Sequence, residues 1–312
     1  MKFEITYLGV QAALPHRGGI TTSQVVNIHE DLYLLDCGEG TQMKLEQWHV
    51  RRNRIKAVLI SHLHGDHVFG LPGLVTSFSH FQRTLPLVII GPPGIREFLC
   101  TSLRISEAYI GFSLDIRELS HDGTLCVYED KNVSVCAFPL HHRVRTYGYR
   151  LNEQVVLNVN RQKIEEYQLT PDQIREVRQK IDVNVKSGQK VPWTEIVSPK
   201  HLPRSYAFCT DTAYFPDVVG SVGGVDVLYH EATYLSDMQL QAVERFHSTA
   251  AEAGRIAAAA GVAQLVLGHM SSRYFQHLPF LEEAGMYASN VMIASEGLVL
   301  AIPQKKTYQI LH

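Results

Sequence analysis

The chain has 312 residues, 45% of them hydrophobic and 19% charged, with a formal net charge of −2 at pH 7. That balance excludes a disordered chain and leaves room for one large α/β core, while the lack of any apolar run near ~20 residues excludes a membrane-spanning helix. A slightly negative chain also argues against nucleic-acid binding by diffuse attraction. Any RNA affinity must come from local patches, such as Arg51, Arg52, Arg54 and Lys56, or Arg143 with Arg145.

In chain order, the first strand is expected from Phe3 to Leu8, directly at the start and without the basic, apolar and small-residue segments of a secretory signal. The expected location is therefore the cytoplasm. Strand runs follow at 25–28, 32–35, 57–60 and 87–90, with helical patterns at 41–50, 68–81 and 94–103. A further run at 133–138 precedes a long polar stretch. From Asn152 to Arg204 the chain is charged, poor in strand runs and carries one helix pattern, 171–181, behind a Thr170 cap. It is read as an insertion in a single domain of residues 1–312, and a connection of that length implies a role. Strands resume at 206–209, 225–229 and 265–267, and the alanine-rich stretch 249–260 reads as a helix lying close on a sheet. The five cysteines, Cys37, Cys100, Cys126, Cys136 and Cys209, are odd in number and contain no CxxC pair, so a disulfide framework is not expected and most should be small core residues.

The chemistry concentrates in Ser61-His62-Leu63-His64-Gly65-Asp66-His67, directly after the apolar run AVLI. Ligands gather at the C-terminal ends of strands in open α/β sheets, and three imidazoles with a carboxylate in six residues match the donor preference of Zn²⁺. One zinc takes about four ligands, so partners are expected at other strand ends. His142 after VSVCAF, Asp211 after YAFC and His269 after LVLG occupy such positions, with His141 a rival to its neighbour.

These residues resemble the metallo-β-lactamase superfamily, whose ligand set runs HxHxDH, His, Asp, His. The motifs Asp36-Cys37-Gly38-Glu39-Gly40-Thr41-Gln42, Gly70-Leu71-Pro72-Gly73-Leu74, His230-Glu231-Ala232-Thr233, His247-Ser248-Thr249 and Ser271-Ser272-Arg273-Tyr274 are similar to those of its ribonuclease Z (tRNase Z, short form) family. The resemblance implies a four-layer αββα sandwich with a protruding arm, and a homodimeric endonuclease that removes the 3′ trailer of precursor tRNA. It implies two zinc ions per subunit: His62, His64 and His142 on one, Asp66, His67 and His269 on the other, Asp211 bridging. His142 is preferred to His141 because the family's histidine lies directly before the stretch leading into Gly148-Tyr149-Arg150. It also implies that residues 152–204 form the tRNA-gripping arm, here with Lys186, Lys190, Lys200 and Arg204 around Gly188 and Pro192 in place of a Gly-Pro rich tip.

Phosphodiester hydrolysis needs a nucleophile, charge neutralisation and a proton for the leaving ribose oxygen. Asp66 is expected to orient or deprotonate the attacking water, and Glu231 with His247 to supply the general acid. The rival role for Glu231 is as a buried partner of a metal-binding histidine. Arg273 and Tyr274 are expected to contact phosphate and base. A small-molecule phosphodiesterase or arylsulfatase of the same fold is the alternative.

Overall fold

The computed structural model describes residues 1–16, 18–154 and 157–304, so residues 155 and 156 of the expected insertion lie outside the described ones. The chain divides into a large unit, Met1–Asn152 with Ser205–Ile302, and a smaller one around Glu153–Arg204.

The large unit contains two seven-stranded sheets. In the first, β1 (Phe3–Gly9), β2 (Ser23–Ile28), β3 (Asp31–Leu35), β4 (Ile55–Leu59), β5 (Leu87–Gly91) and β6 (Leu114–Glu118) pair in sequence order, antiparallel up to β3 and parallel beyond it. The second runs from β7 (Leu125–Glu129) through β8 (Val133–Leu140), β9 (Thr146–Glu153), β10 (Ser205–Cys209), β11 (Val227–Glu231) and β12 (Gln264–Gly268) to β13 (Val291–Ile293), parallel from β10 onward. A last strand, β14 (Val299–Ala301), returns to pair antiparallel with β1.

The period of two along each strand divides the core. In β3, Tyr33 and Leu35 join β1, β9, β10 and β11 residues in a cluster between the sheets, whereas Leu32 and Leu34 face the helices Leu71–His80 and Ile95–Ile105. In β10, Tyr206 and Phe208 point inward, while Ala207 and Cys209 meet the helices Ala250–Ala259 and Leu278–Gly285. The layers are thus helix, sheet, sheet, helix, the expected sandwich. The alanines bring helix 250–259 so close that a Cβ on Gly254 would stand 2.6 Å from the Ala284 carbonyl oxygen.

Several elements depart from the sequence expectation. The single helix expected at 68–81 is two, Gly65–Val68 and Leu71–His80, because the break at Gly70 seats its backbone on that of Gly38: a Cβ there would lie 2.1 Å from the Gly38 carbonyl oxygen. Strand β9 was not foreseen. Gly148, Arg150 and Asn152 disguise it, yet Tyr147, Tyr149 and Leu151 alternate into the core.

The smaller unit has its own core, with Leu169, Val177, Val183, Val191 and Ile196 buried together. The Thr170 cap forms as a full capping box with Gln173 and starts the helix Pro171–Arg178; the further helices Arg161–Glu166 and Trp193–Ile196 were not expected. Arg204 clasps Glu153 through two charge-assisted hydrogen bonds, of 2.9 and 2.6 Å, at the two ends of the unit.

Candidate metal centre

Every residue of the two ligand groups lies in a loop or short helix that follows a strand of the large unit. After β4 the chain turns through Ser61–His64 into the short helix Gly65–Val68. Asp36, just past β3 and buried, fixes that turn from a left-handed backbone conformation (φ 55°). Its Oδ1 accepts the Ser61 N–H at 2.7 Å; its Oδ2 accepts the Ser61 hydroxyl at 2.8 Å and Nδ1–H of His67 at 2.7 Å.

The loops after β8, β10 and β12 bring in His142, Asp211 and His269. Ligand atoms of His62, His64, His142 and Asp211 lie within 4.8 Å of one another, as do those of Asp66, His67, Asp211 and His269. Asp211 belongs to both groups. Its Oδ2 is 3.7 Å from His62 Nε2, and its Oδ1 is 3.2 Å from both His67 Nε2 and His269 Nε2.

The outer nitrogens of His62, His142 and His269 are committed to partners. The Ser61 hydroxyl donates to Asp36 and so accepts from His62 Nδ1–H at 3.0 Å. His142 Nδ1–H donates to the Phe246 carbonyl at 3.0 Å. The Thr233 hydroxyl donates to Glu231 and accepts from His269 Nδ1–H at 3.1 Å. His62, His142 and His269 therefore each turn an unprotonated nitrogen inward. The inward Nε2 atoms of His67 and His269 are buried without a hydrogen-bond partner. Orphaned lone pairs are costly in a protein interior, and converging with carboxylates they fit a pair of divalent cations.

Glu231, at the end of β11, has both oxygens occupied: Oε1 by the Thr212 N–H at 3.0 Å and His247 Nδ1–H at 2.8 Å, Oε2 by the Thr233 N–H at 2.9 Å and hydroxyl at 2.8 Å. Burial lowers the His247 pKa, but the Glu231 carboxylate outweighs it and pushes the value up to about 9. His247 itself is delivered by the left-handed Phe246 (φ 58°), which ends helix Gln239–Arg245, and by the Thr249–Glu252 capping box that starts the next one. The two expected roles of Glu231 meet at Thr233, whose hydroxyl touches Glu231, His247 and His269.

A cleft of about 580 Å³ opens over the cluster, with Asp66, His142, His247, Arg143 and Arg273 on its wall. Arg273 is exposed, its guanidinium above the Tyr234 ring at 5.4 Å. Tyr274 turns away from the expected substrate contact: its hydroxyl accepts the Leu235 N–H at 3.1 Å and its ring packs on Phe280, so it braces the loop. His141 is exposed, packed against Phe215 and Phe246, and it is His142 that reaches the cluster. Lys186 and Lys190 belong to the smaller unit, where both are exposed, near Gln168 and Asp182.

Asp36, Ser61 and Thr233 are supporting residues that the sequence did not assign. Asp36→Asn keeps the volume but loses the charge that orients His67. Metal affinity, measured by chelator competition, is expected to fall about 10–100-fold, with the fold retained.

Residues 3–169 match the family model described as Anti-Pycsar protein Apyc1, and residues 169–270 the Beta-lactamase superfamily domain. The ribonuclease Z of Bacteroides fragilis is 37% identical over 302 residues, covering 96% of this chain and 99% of that protein. The ribonuclease Z of Phocaeicola vulgatus is 36% identical over 306 residues, covering 98% and 99%. Among solved structures, the short form of human tRNase Z aligns with a TM-score of 0.71 at 25% identity, over 96% of this chain and 99% of that one. A long form RNase Z from yeast shares the fold, with a TM-score of 0.67 at 17% identity over 96% of this chain and 42% of that one.

Proposed function

The chain belongs to the ribonuclease Z family of the metallo-β-lactamase superfamily, and we propose that its cleft, loaded with two zinc ions, removes the 3′ trailer of precursor tRNA and leaves a 3′-hydroxyl on the tRNA. The Apyc1 match stops at residue 169, whereas the ribonuclease Z relatives run over 96% and 98% of the chain. The chain is accordingly an endoribonuclease of tRNA 3′ processing. A small phosphodiester or sulfate ester as natural substrate is the weaker reading.

The observation carrying the zinc reading is Asp211, with one oxygen toward each of two ligand groups. Bound there, zinc would activate water at neutral pH and neutralise phosphate charge. His62, His64 and His142 would hold one ion, Asp66, His67 and His269 the other. The Asp66 Oδ2 is steadied by the Ala13 N–H at 2.9 Å. Asp66 thereby orients the attacking water, and His247, protonated beside Glu231, gives its proton to the departing ribose oxygen. Arg273 receives a phosphate of the strand entering the cleft. Incubation with precursor tRNA, with the cut mapped by primer extension, tests the activity. Cleavage away from the 3′ trailer junction would overturn it.

Residues 153–204 are proposed to bind tRNA through Lys186, Lys190 and Lys200. Asn152 and Ser205 are register partners of the antiparallel pair β9 and β10, so the whole segment occupies the place of a hairpin loop. Replacing it with a two-residue Asn-Gly turn is therefore expected to leave the large unit folded. Hydrolysis of bis-p-nitrophenyl phosphate should persist while precursor tRNA cleavage drops roughly a hundredfold or more, since remote binding energy governs recognition. Equal activity on tRNA would remove the segment from substrate binding. The working form is proposed to be a homodimer acting in the cytoplasm, on the strength of the family resemblance, and sedimentation velocity of the purified chain tests the dimer.

A further inference from the structure

Strand β7 is the open edge of the second sheet, and on it Cys126 stands directly opposite Cys136 of β8. Opposite residues of an antiparallel pair share a face with Cα atoms ~4.5–5.5 Å apart, inside the ~4.4–6.8 Å span of disulfide-bonded pairs. The Cys126 thiol donates to the Tyr128 carbonyl oxygen at 3.7 Å, a weak contact that rotation about its side chain releases. Both are free, Cys126 exposed and Cys136 half-buried, so the expectation of core cysteines holds for the buried Cys37 and Cys209 and fails here.

The pairing cannot easily slip, because Asp130 anchors the intervening turn. Its Oδ1 accepts the N–H groups of Asn132 and Val133 at 2.8 and 3.1 Å, while its Oδ2 receives the Tyr33 hydroxyl at 2.8 Å and the Lys56 ammonium at 3.2 Å from the other sheet. The turn is thus pinned, and beyond a register shift between Cys126 and Tyr128 the pairing resumes with Cys126 opposite Cys136.

We propose that Cys126 and Cys136 form a dithiol modification site, which a low-molecular-weight disulfide oxidises to a cross-strand disulfide. The exposed Cys126 attacks first as thiolate, taking one sulfur of the reagent and releasing one thiol. Cys136, whose thiol is pushed up by burial, is the poorer first nucleophile. It then attacks the Cys126 sulfur, expelling the second thiol, so one reagent disulfide is reduced to two thiols as one protein disulfide forms. The product would add a covalent tie to the sheet's exposed edge, which is otherwise held by ladder hydrogen bonds, the packing of Val127 and Tyr128 and the Asp130 contacts.

The test uses the full-length folded chain, treated with glutathione disulfide, alkylated and digested with trypsin. Cleavage after Lys131 separates the cysteines into peptides Glu118–Lys131 and Asn132–Arg143. A covalently linked pair of these peptides is expected, while the exposed Cys100 keeps a single glutathione. In Cys136→Ser, Cys126 should retain glutathione, because nothing resolves it. In Cys126→Ser, Cys136 should react about tenfold more slowly than Cys126 does. Recovery of both cysteines alkylated, or each with its own glutathione, while Cys100 is modified, would overturn the proposal.

Discussion

Asp211→Ala is expected to empty both halves of the metal centre and to lower kcat/KM on precursor tRNA by roughly three orders of magnitude or more. The size follows from the several kcal/mol that metal ions contribute to charge stabilisation, each ~1.4 kcal/mol being tenfold in rate. The breadth follows from geometry. Among the described residues, Asp211 is the carboxylate shared by both groups, 3.7 Å from His62 Nε2 on one side and 3.2 Å from His67 and His269 Nε2 on the other. His142→Ala, by contrast, removes a ligand from one group, so zinc per chain should fall from about two toward one. Metal analysis by plasma mass spectrometry distinguishes them. Equal losses from the two variants would contradict a bridging role. Because Asp211 is buried among imidazoles, alanine could also disturb folding, and Asp211→Asn controls for that: it keeps the shape, and its thermal midpoint should stay near that of the parent while its metal content falls.

The strand-end positions of the site were legible because each follows an apolar run: AVLI before His62, VSVCAF before His142, YAFC before Asp211 and LVLG before His269. Strand ends are also where the fold collects them. What could not be read was the support. Asp36 reaches Ser61 and His67 across 25 and 31 positions, and Thr233 reaches His269 across 36, contacts that exist only once β3, β4, β11 and β12 are ordered. Their left-handed neighbours told nothing either, since Asp36 and His269 adopt positive φ without being glycine. The bracing contact of Tyr274 was hidden for a related reason. A polar aromatic after a ligand loop reads as a substrate contact, but its hydroxyl was needed for the Leu235 N–H. The edge strands β6 and β7 mix charged and apolar residues on half-exposed faces, so their alternation is weak.

His247→Ala is expected to reduce kcat on precursor tRNA by about 10²–10⁴-fold, the usual worth of a positioned general acid, with KM and zinc content nearly unchanged. Three features of the site give that separation. His247 hydrogen-bonds to Glu231 and belongs to neither of the two groups that share Asp211, so its loss removes no ligand from them. Glu231 keeps its Thr212 and Thr233 contacts when the imidazole is gone, so the loops carrying Asp211 and His269 remain tied. The ring also sits on the cleft wall, where a departing oxygen can reach it. The decisive comparison is the substrate. A ribose 3′-oxygen leaves poorly without a proton, whereas p-nitrophenolate needs none, so on bis-p-nitrophenyl phosphate the same variant should lose less than about tenfold. A parallel loss on both substrates, or a fall in zinc content, would make His247 a structural or ligating residue and return the leaving-group proton to water.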